Sequence, residues 1–324
     1  MTGREGGGTL SPLAVQVVLG PCDDMRAEVF VRAAVPDAAR PVQLAGTLAG
    51  PECRRSITLP ATAALVDLGA SGSALLAKAV LTEPAFWTPE LPNLYRLDVR
   101  ATGGGQAVAG ATRRIGLRRS GGRGRSLWLE GRRWVPRGVA CESTACDLES
   151  LRAAGAAIVV ADPPESLLTA ADERGVAVIA VAKLAGSADD AVAHIAAWAA
   201  HPSVVMAVVD DAIDDATATT LAARVRRLKG TMLLGRVVEG VAPPPTPVAE
   251  GIDSLVLALE ADAVPHQAWR DAAPSMPLVA WRRVGLPAEE RRRGCDQLQA
   301  QLAAWGLADG REHQPWDWAG YLVS

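Results

Sequence analysis

AAIVVADPPESLLTAADERGVAVIAVA, residues 156–182, decides the reading of this chain. Two short apolar runs, AAIVVA and VAVIAVA, flank the alanine-rich helical stretch PESLLTAADERG. Strand, helix, strand in close succession is the unit from which parallel sheets are built.

The rhythm extends in both directions. RWVPRGV followed by DLESLRAAG precedes it, and DDAVAHIAAWAAH, VVMAVV and ATATTLAARVRRLKG follow. MLLGRVV, SLVLAL, PLVAW and AGYLVS bring the strand candidates to eight, most with a helix after them. An open doubly wound sheet is the alternative, but eight units from Trp128 onward favour a small parallel barrel. The connection VEGVAPPPTPVAEG is too rich in proline for a full helix.

Up to about Arg118 the texture differs. AVQVVL, AEVFVRAAV, SITL and LYRLDVRA are short alternating runs punctuated by Gly, Pro and Asp, the pattern of a sandwich of immunoglobulin-domain size. The expected fold class is α/β plus all-β. A flexible stretch, 1–10, leads into an immunoglobulin-like β-sandwich over 11–120, and a compact (β/α)8 TIM-type barrel spans 121–324.

Composition sets the outer limits. A chain of 324 residues, 49% hydrophobic with net charge −3, supports one or two real cores and excludes global disorder. Cys22, Cys53, Cys141, Cys146 and Cys295 show no metal spacing and fit a reducing compartment. Neither a signal sequence nor a membrane-spanning run is visible, so the expectation is a soluble, cytoplasmic protein that uses no metal and no cofactor.

FWTPELPNLYRLDVR (86–100), RRIGLR (113–118) and LWLEGRRWVPRGV (127–139) together resemble the junction between sandwich and barrel in glycoside hydrolase family 2, the β-galactosidase and β-glucuronidase family. Trp87, Pro89, Pro92, Leu94, Tyr95, Gly116, Arg118, Gly131, Arg137 and Gly138 fall in that family's order, and the likeness continues through LRAAGAAIVVADPP to HPSVV at 201–205. His201 then stands at a structural position of the family motif.

The resemblance implies two catalytic glutamates, an acid/base in an Asn-Glu dipeptide ending the fourth barrel strand and a nucleophile ending the seventh. A retaining enzyme holds the two carboxyl groups about 5 to 5.5 Å apart. Counted from HPS, the dipeptide falls on Asp211 and Ala212, and the nucleophile position falls on Trp281 or Arg282. Neither position carries the glutamate, and a cation at the second opposes an oxocarbenium-like transition state. The expectation is a pseudoenzyme, a structural or interaction subunit. Its architecture is similar to that of an accessory subunit on the surface of bacterial photosynthetic reaction centres. The alternatives are a hydrolase with relocated carboxylates, drawn from Asp162, Asp210, Asp211, Glu239 and Glu260, and a non-catalytic carbohydrate binder. Asp210 and Asp211 also precede a helix and read as its caps.

Interaction candidates come from charge and aromatic content. Arg113, Arg114, Arg118, Arg119, Arg123, Arg125, Arg132, Arg133 and Arg137 share one 25-residue segment with a single acid, Glu130. Such a segment suits a protein partner with an acidic or membrane-associated surface, or anionic lipid headgroups. Nucleic acid is not expected, because no basic-aromatic interleaving accompanies it. Trp316 and Trp318 are candidates for a sugar platform or partner anchor, with carbohydrate the less favoured use. Trp87, Trp128, Trp134 and Trp198 read as packing residues, and EERRRGC (289–295) as the start of a helix.

Overall fold

A computed structural model describes residues 10–34, 42–142, 146–183, 188–210, 212–227, 232–272, 275–307 and 318–324. The expected flexible stretch falls almost wholly outside these residues. Two compact units emerge: the chain up to Ala85 with Asn93–Leu117, and Phe86–Pro92 with Arg118–Ser324. The strap 86–92 belongs with the second unit.

In the first unit, alternating sequence gives strands with one dry and one wet side. One sheet runs β1 (Ser11–Pro12), β9 (Gln106–Ile115), β8 (Leu94–Gly103), β4 (Val42–Glu52), β5 (Ala61–Ala64). The other runs β2 (Ala14–Cys22), β3 (Arg26–Ala34), β7 (Ala74–Thr82), β6 (Val66–Ser71). Along β3, Ala27, Val29, Val31 and Ala33 are buried, and so are Leu44, Leu48, Leu97 and Val99 of the first sheet. Each fully buried Leu or Val of this kind contributes about 1.5–3 kcal/mol relative to exposure. Gly46 is required by a close approach: a Cβ there would lie 1.9 Å from the Asp98 carbonyl oxygen.

The second unit begins with the strap, where Trp87 bridges to Pro92 and is wholly buried. A three-stranded antiparallel sheet follows: β10 (Ser120–Arg123), β11 (Ser126–Leu129) and β12 (Arg132–Trp134). Eight parallel strands then close into a barrel in chain order: β13 (Arg137–Ala140), β14 (Ala157–Ala161), β15 (Val178–Ala182), β16 (Val204–Val209), β17 (Leu233–Glu239), β18 (Ser254–Glu260), β19 (Leu278–Arg283) and β20 (Gly320–Val323). Closure comes from β13 pairing with β20, Gly138 opposite Leu322. A closed ring has no free sheet edge, which decides against the open doubly wound alternative.

Helices α1 (Leu148–Ala153), α2 (Glu165–Arg174), α3 (Ala188–Trp198) and α4 (Asp215–Arg227) follow the first four barrel strands. The proline-rich connection after β17 forms no helix, α5 (Ala268–Ala272) follows β18, and α6 (Ala288–Leu307) follows β19. The barrel therefore packs against two apolar layers. Ile158, Val160, Val178 and Ala180 share a cluster with Leu167, Leu168, Ile195 and Leu221 on α2, α3 and α4. Leu255, Leu257, Leu278 and Ala280 share another with Cys295, Leu298 and Leu302 on α6. No helix among the described residues is long and apolar enough to cross a membrane.

Candidate functional site

Barrel strands alternate between the helix layer and the axis, and this fixes which residues can face a ligand at the C-terminal mouth. On β19, Leu278 and Ala280 pack toward the helices. Arg282 shares their parity and turns the same way, whereas Trp281 and Arg283 take the axial side. Arg282 is buried, its Nη2 donating to the Ala263 carbonyl at 3.1 Å and its Nη1 lying 3.6 Å from the Asp262 carboxylate. Burial pulls its pKa down, opposed by the charge of Asp262. Of the two candidate positions, Arg282 has its guanidinium tethered sideways to the β18–α5 loop. The axial residue is Trp281, half-buried, with the Arg283 guanidinium stacked 4.6 Å from its ring centre.

Across the mouth, β16 ends at Val209 with all six residues buried, and Asp210 behind it is half-buried. Asp211 lies outside the described residues; Ala212 is exposed. Asp214 caps α4: its carboxylate accepts from Thr217 N at 2.7 Å and is held below the usual carboxylate range by that bond. Asp215, the first residue of α4, pairs with the buried Arg236 of β17, which also donates to the Ile213 carbonyl at 3.2 Å. Among the remaining acidic candidates, Glu239 and Glu260 end their strands exposed, on the parity opposite to the helix-packed Leu255, Leu257 and Leu259 in the case of Glu260. One register row joins Glu239, Ala258, Trp281 and Leu322 across four neighbouring strands. Asp162 is exposed with φ +43 and accepts weakly from Lys183 N.

The arginine segment divides between the two units. Arg113 and Arg114 lie exposed on β9 of the first unit, and Arg114 pairs with Glu52 at 2.5 Å. Arg118 is 2% exposed: its Nη1 donates to the carbonyls of His201 (3.2 Å), Pro202 (2.6 Å) and Val204 (2.5 Å). Burial pulls its pKa down to about 10, against the charges of Asp172 and Glu130. A side chain so enclosed cannot dock anything, which removes Arg118 from the candidates. Arg119 is half-buried, with its Nε 3.0 Å from Glu130 and its guanidinium 4.0 Å from the centre of the Phe86 ring. Arg123, Arg125, Arg132 and Arg133 remain exposed on the β10–β12 sheet. Beside them a recess of about 340 Å³ is walled by Phe86, Leu91, Glu130, Arg132, Arg133 and Trp134. Of the tryptophan candidates, Trp316 lies outside the described residues. Trp318 is buried at 3% with its ring centre 6.3 Å from that of Trp305, so it is core and no exposed platform.

Sequence reasoning missed a polar network at the opposite end of the barrel, with His201 and Asp172 buried and Glu165 exposed. His201 Nδ1 lies 2.7 Å from Asp172 and Nε2 lies 3.0 Å from Glu165. Asp172 also accepts from Ser203 N at 2.9 Å, and its carbonyl accepts from Trp87 Nε1 at 2.8 Å. Burial would lower the His201 pKa, but the bonds and charges of Asp172 and Glu165 outweigh it and raise it. No local pattern announces partners 29 and 36 positions apart in the chain.

Residues 23–118 match the family model for glycosyl hydrolases family 2. No curated protein matches the chain. Among solved structures, a glycosyl hydrolase family 2 member from Bacteroides cellulosilyticus aligns with TM-score 0.67 at 17% identity, covering 97% of this chain and 46% of that one. A β-glucuronidase from Bifidobacterium dentium, complexed with coumarin-3-O-glucuronide, aligns with TM-score 0.63 at 13% identity, covering 97% and 60%. A β-galacturonidase from Eisenbergiella tayi, bound to galacturonate, aligns with TM-score 0.63 at 14% identity, covering 96% and 64%. This chain spans less than two thirds of the length of each. Residues 23–118 are thus a glycosyl hydrolases family 2 domain, and the sandwich-plus-barrel chain has the fold of that family's structures.

Proposed function

We propose that this chain is a glycoside-hydrolase-like pseudoenzyme that serves as a structural or interaction subunit. One observation carries the reading: at the end of the seventh barrel strand the axial residue is Trp281 under the Arg283 guanidinium. Resemblance puts a glutamate nucleophile there, and an indole can neither attack an anomeric carbon nor supply negative charge to an oxocarbenium ion. Ala212 at the acid/base position points the same way. The partner-facing surface is the exposed arginine set of the small sheet, Arg123, Arg125, Arg132 and Arg133, which suits an acidic protein face or a membrane-associated complex.

The direct test is a panel of chromogenic glucuronides, galactosides and galacturonides, on which no turnover is expected. Turnover abolished by Glu239→Gln, Glu260→Gln or Asp211→Ala would establish hydrolysis by relocated carboxylates and overturn the proposal. The interaction half is tested by affinity capture from native lysate with detergent-solubilised membranes. A stoichiometric partner lost on Arg-to-Glu reversal at 123, 125, 132 and 133 supports it; a free monomer contradicts it.

A further inference from the structure

Two recesses lie side by side on the second unit, divided by a common wall. The one of about 340 Å³ described above and another of about 240 Å³ share Pro89, Glu90 and Trp134. The first is bordered by Arg132 and Arg133, the second by Arg137 and Arg152. Two pairs of guanidinium groups therefore flank a half-buried indole.

Backbone shapes the second recess as much as side chains do. It is bordered by Gly155 and Gly175, which lie just beyond the ends of α1 and α2 at φ +62 and φ +72. A Cβ on Gly175 would stand 2.3 Å from the Pro89 carbonyl oxygen and 3.4 Å from Arg152 Nε, so glycine is what lets the strap come this close to the end of α2. Arg137 is held in place: its Nε donates to Asp296 at 3.1 Å, its Nη2 donates to Gln299, and its guanidinium lies 5.2 Å from the centre of the Tyr321 ring. Asp296 also receives Arg292 at 2.7 Å, so one carboxylate answers two cations.

Arg152 differs from its neighbour. Its Nε is buried and has no hydrogen-bond partner among the described residues. A buried donor left unsatisfied costs about 1–3 kcal/mol, and an anion entering the recess would meet a guanidinium that the chain leaves incompletely used. Acidic side chains do little to balance the four arginines. Glu130 is tied to the backbone N and the Nε of Arg119, which leaves Glu90, exposed on the shared wall.

We infer that the two recesses form one groove for an extended acidic segment of a protein partner. In an extended chain, side chains at i, i+2 and i+4 face the same way. A segment of the pattern Glu-x-Leu-x-Glu thus offers a carboxylate to each arginine pair and an apolar side chain to Trp134 between them. This deepens, and rests on, the reading of the chain as an interaction subunit.

The test is fluorescence anisotropy, with the full chain titrated into the fluorescein-labelled peptide Ser-Glu-Ser-Leu-Ser-Glu-Ser. Saturable binding that weakens with added salt is expected, and the same peptide with Gln for both Glu should lose it. Arg152→Ala and Trp134→Ala should each weaken binding about 10-fold, and Arg152→Lys by less. Glu90→Gln should tighten it about 2-fold by removing a like charge from the wall, whereas Arg113→Ala, which removes the same charge as Arg152→Ala from the first unit, should change it by less than about 2-fold. Thermal melts establish that the variants fold. Equal losses in Arg113→Ala and Arg152→Ala, or full affinity for the Gln peptide, would overturn the groove. So would an oligodeoxythymidine that binds as tightly and with the same sensitivities, which would assign the surface to nucleic acid. Glycoside turnover bears on the interaction reading alone, whereas absence of peptide binding to the folded wild-type chain overturns the groove alone.

Discussion

The two ends of the barrel carry opposite kinds of polarity. At the N-terminal end, Arg118, Asp172, His201 and Ser203 are buried and bound to one another or to backbone carbonyls at 2.5–3.2 Å. At the C-terminal mouth, Glu239, Glu260 and Ala212 are exposed, and Trp281 with Arg283 fills the axial side of the seventh strand. The first arrangement fixes the backbone of residues 201–204 through bonds to the carbonyls of His201, Pro202 and Val204. The second is open to solvent at Glu239, Glu260 and Ala212. A scaffold of this fold can therefore change its mouth with little penalty, while its base is constrained by burial.

This contrast can be broken or sharpened by substitution. The largest effect is expected at Arg118→Ala, which removes the buried donor to three backbone carbonyls, of which that of His201 keeps Val204 N. A loss of about 3–5 kcal/mol is expected in urea unfolding. A loss below about 1 kcal/mol would mean that water replaces the guanidinium and that the base is less closed than its geometry indicates. Asp172→Ala should follow at about 2–3 kcal/mol, since Ser203 N and His201 each lose an acceptor.

His201 gives the contrast a pH signature. Its folded pKa is raised above the unfolded value of about 6.5, so its stabilisation is fully present below that value and is lost as pH rises through the folded pKa. Unfolding free energies from urea titrations between about pH 5.5 and 8.5 should fall with pH, by at most about 1.4 kcal/mol per pH unit for one proton. His201→Gln should flatten that dependence. The smallest effect is expected at the mouth, where Ala212→Glu should change stability by no more than about 0.5 kcal/mol. A large loss there would put the mouth in the same class as the base.

What the sequence disclosed follows from physical range. All eight barrel strands were visible because each is a local apolar run, and the helix missing after β17 was visible because proline excludes it locally. Strand parity even contained the direction of Arg282, since Leu278 and Ala280 announce the helix-facing side two and four residues earlier. Arg118 was misread because RRIGLRR is uniform in charge, and nothing within it reveals that Ile115 to Arg118 turn inward together. Trp318 was misread for the same reason, since Trp305, which packs against it, belongs to a separate helix. Asp172 and Glu165 were invisible as partners of His201 because only the folded barrel brings them within reach.

Barrel closure has a kinetic consequence. The seam between β13 and β20 joins residues roughly 180 positions apart, whereas every other barrel pairing joins strands consecutive in the chain. The entropy of closing so long a loop must be overcome before that seam rewards it, so the seam is expected to form late. Until it does, β13 and β20 each present an unpaired edge, and association between incomplete barrels competes with the final step of folding.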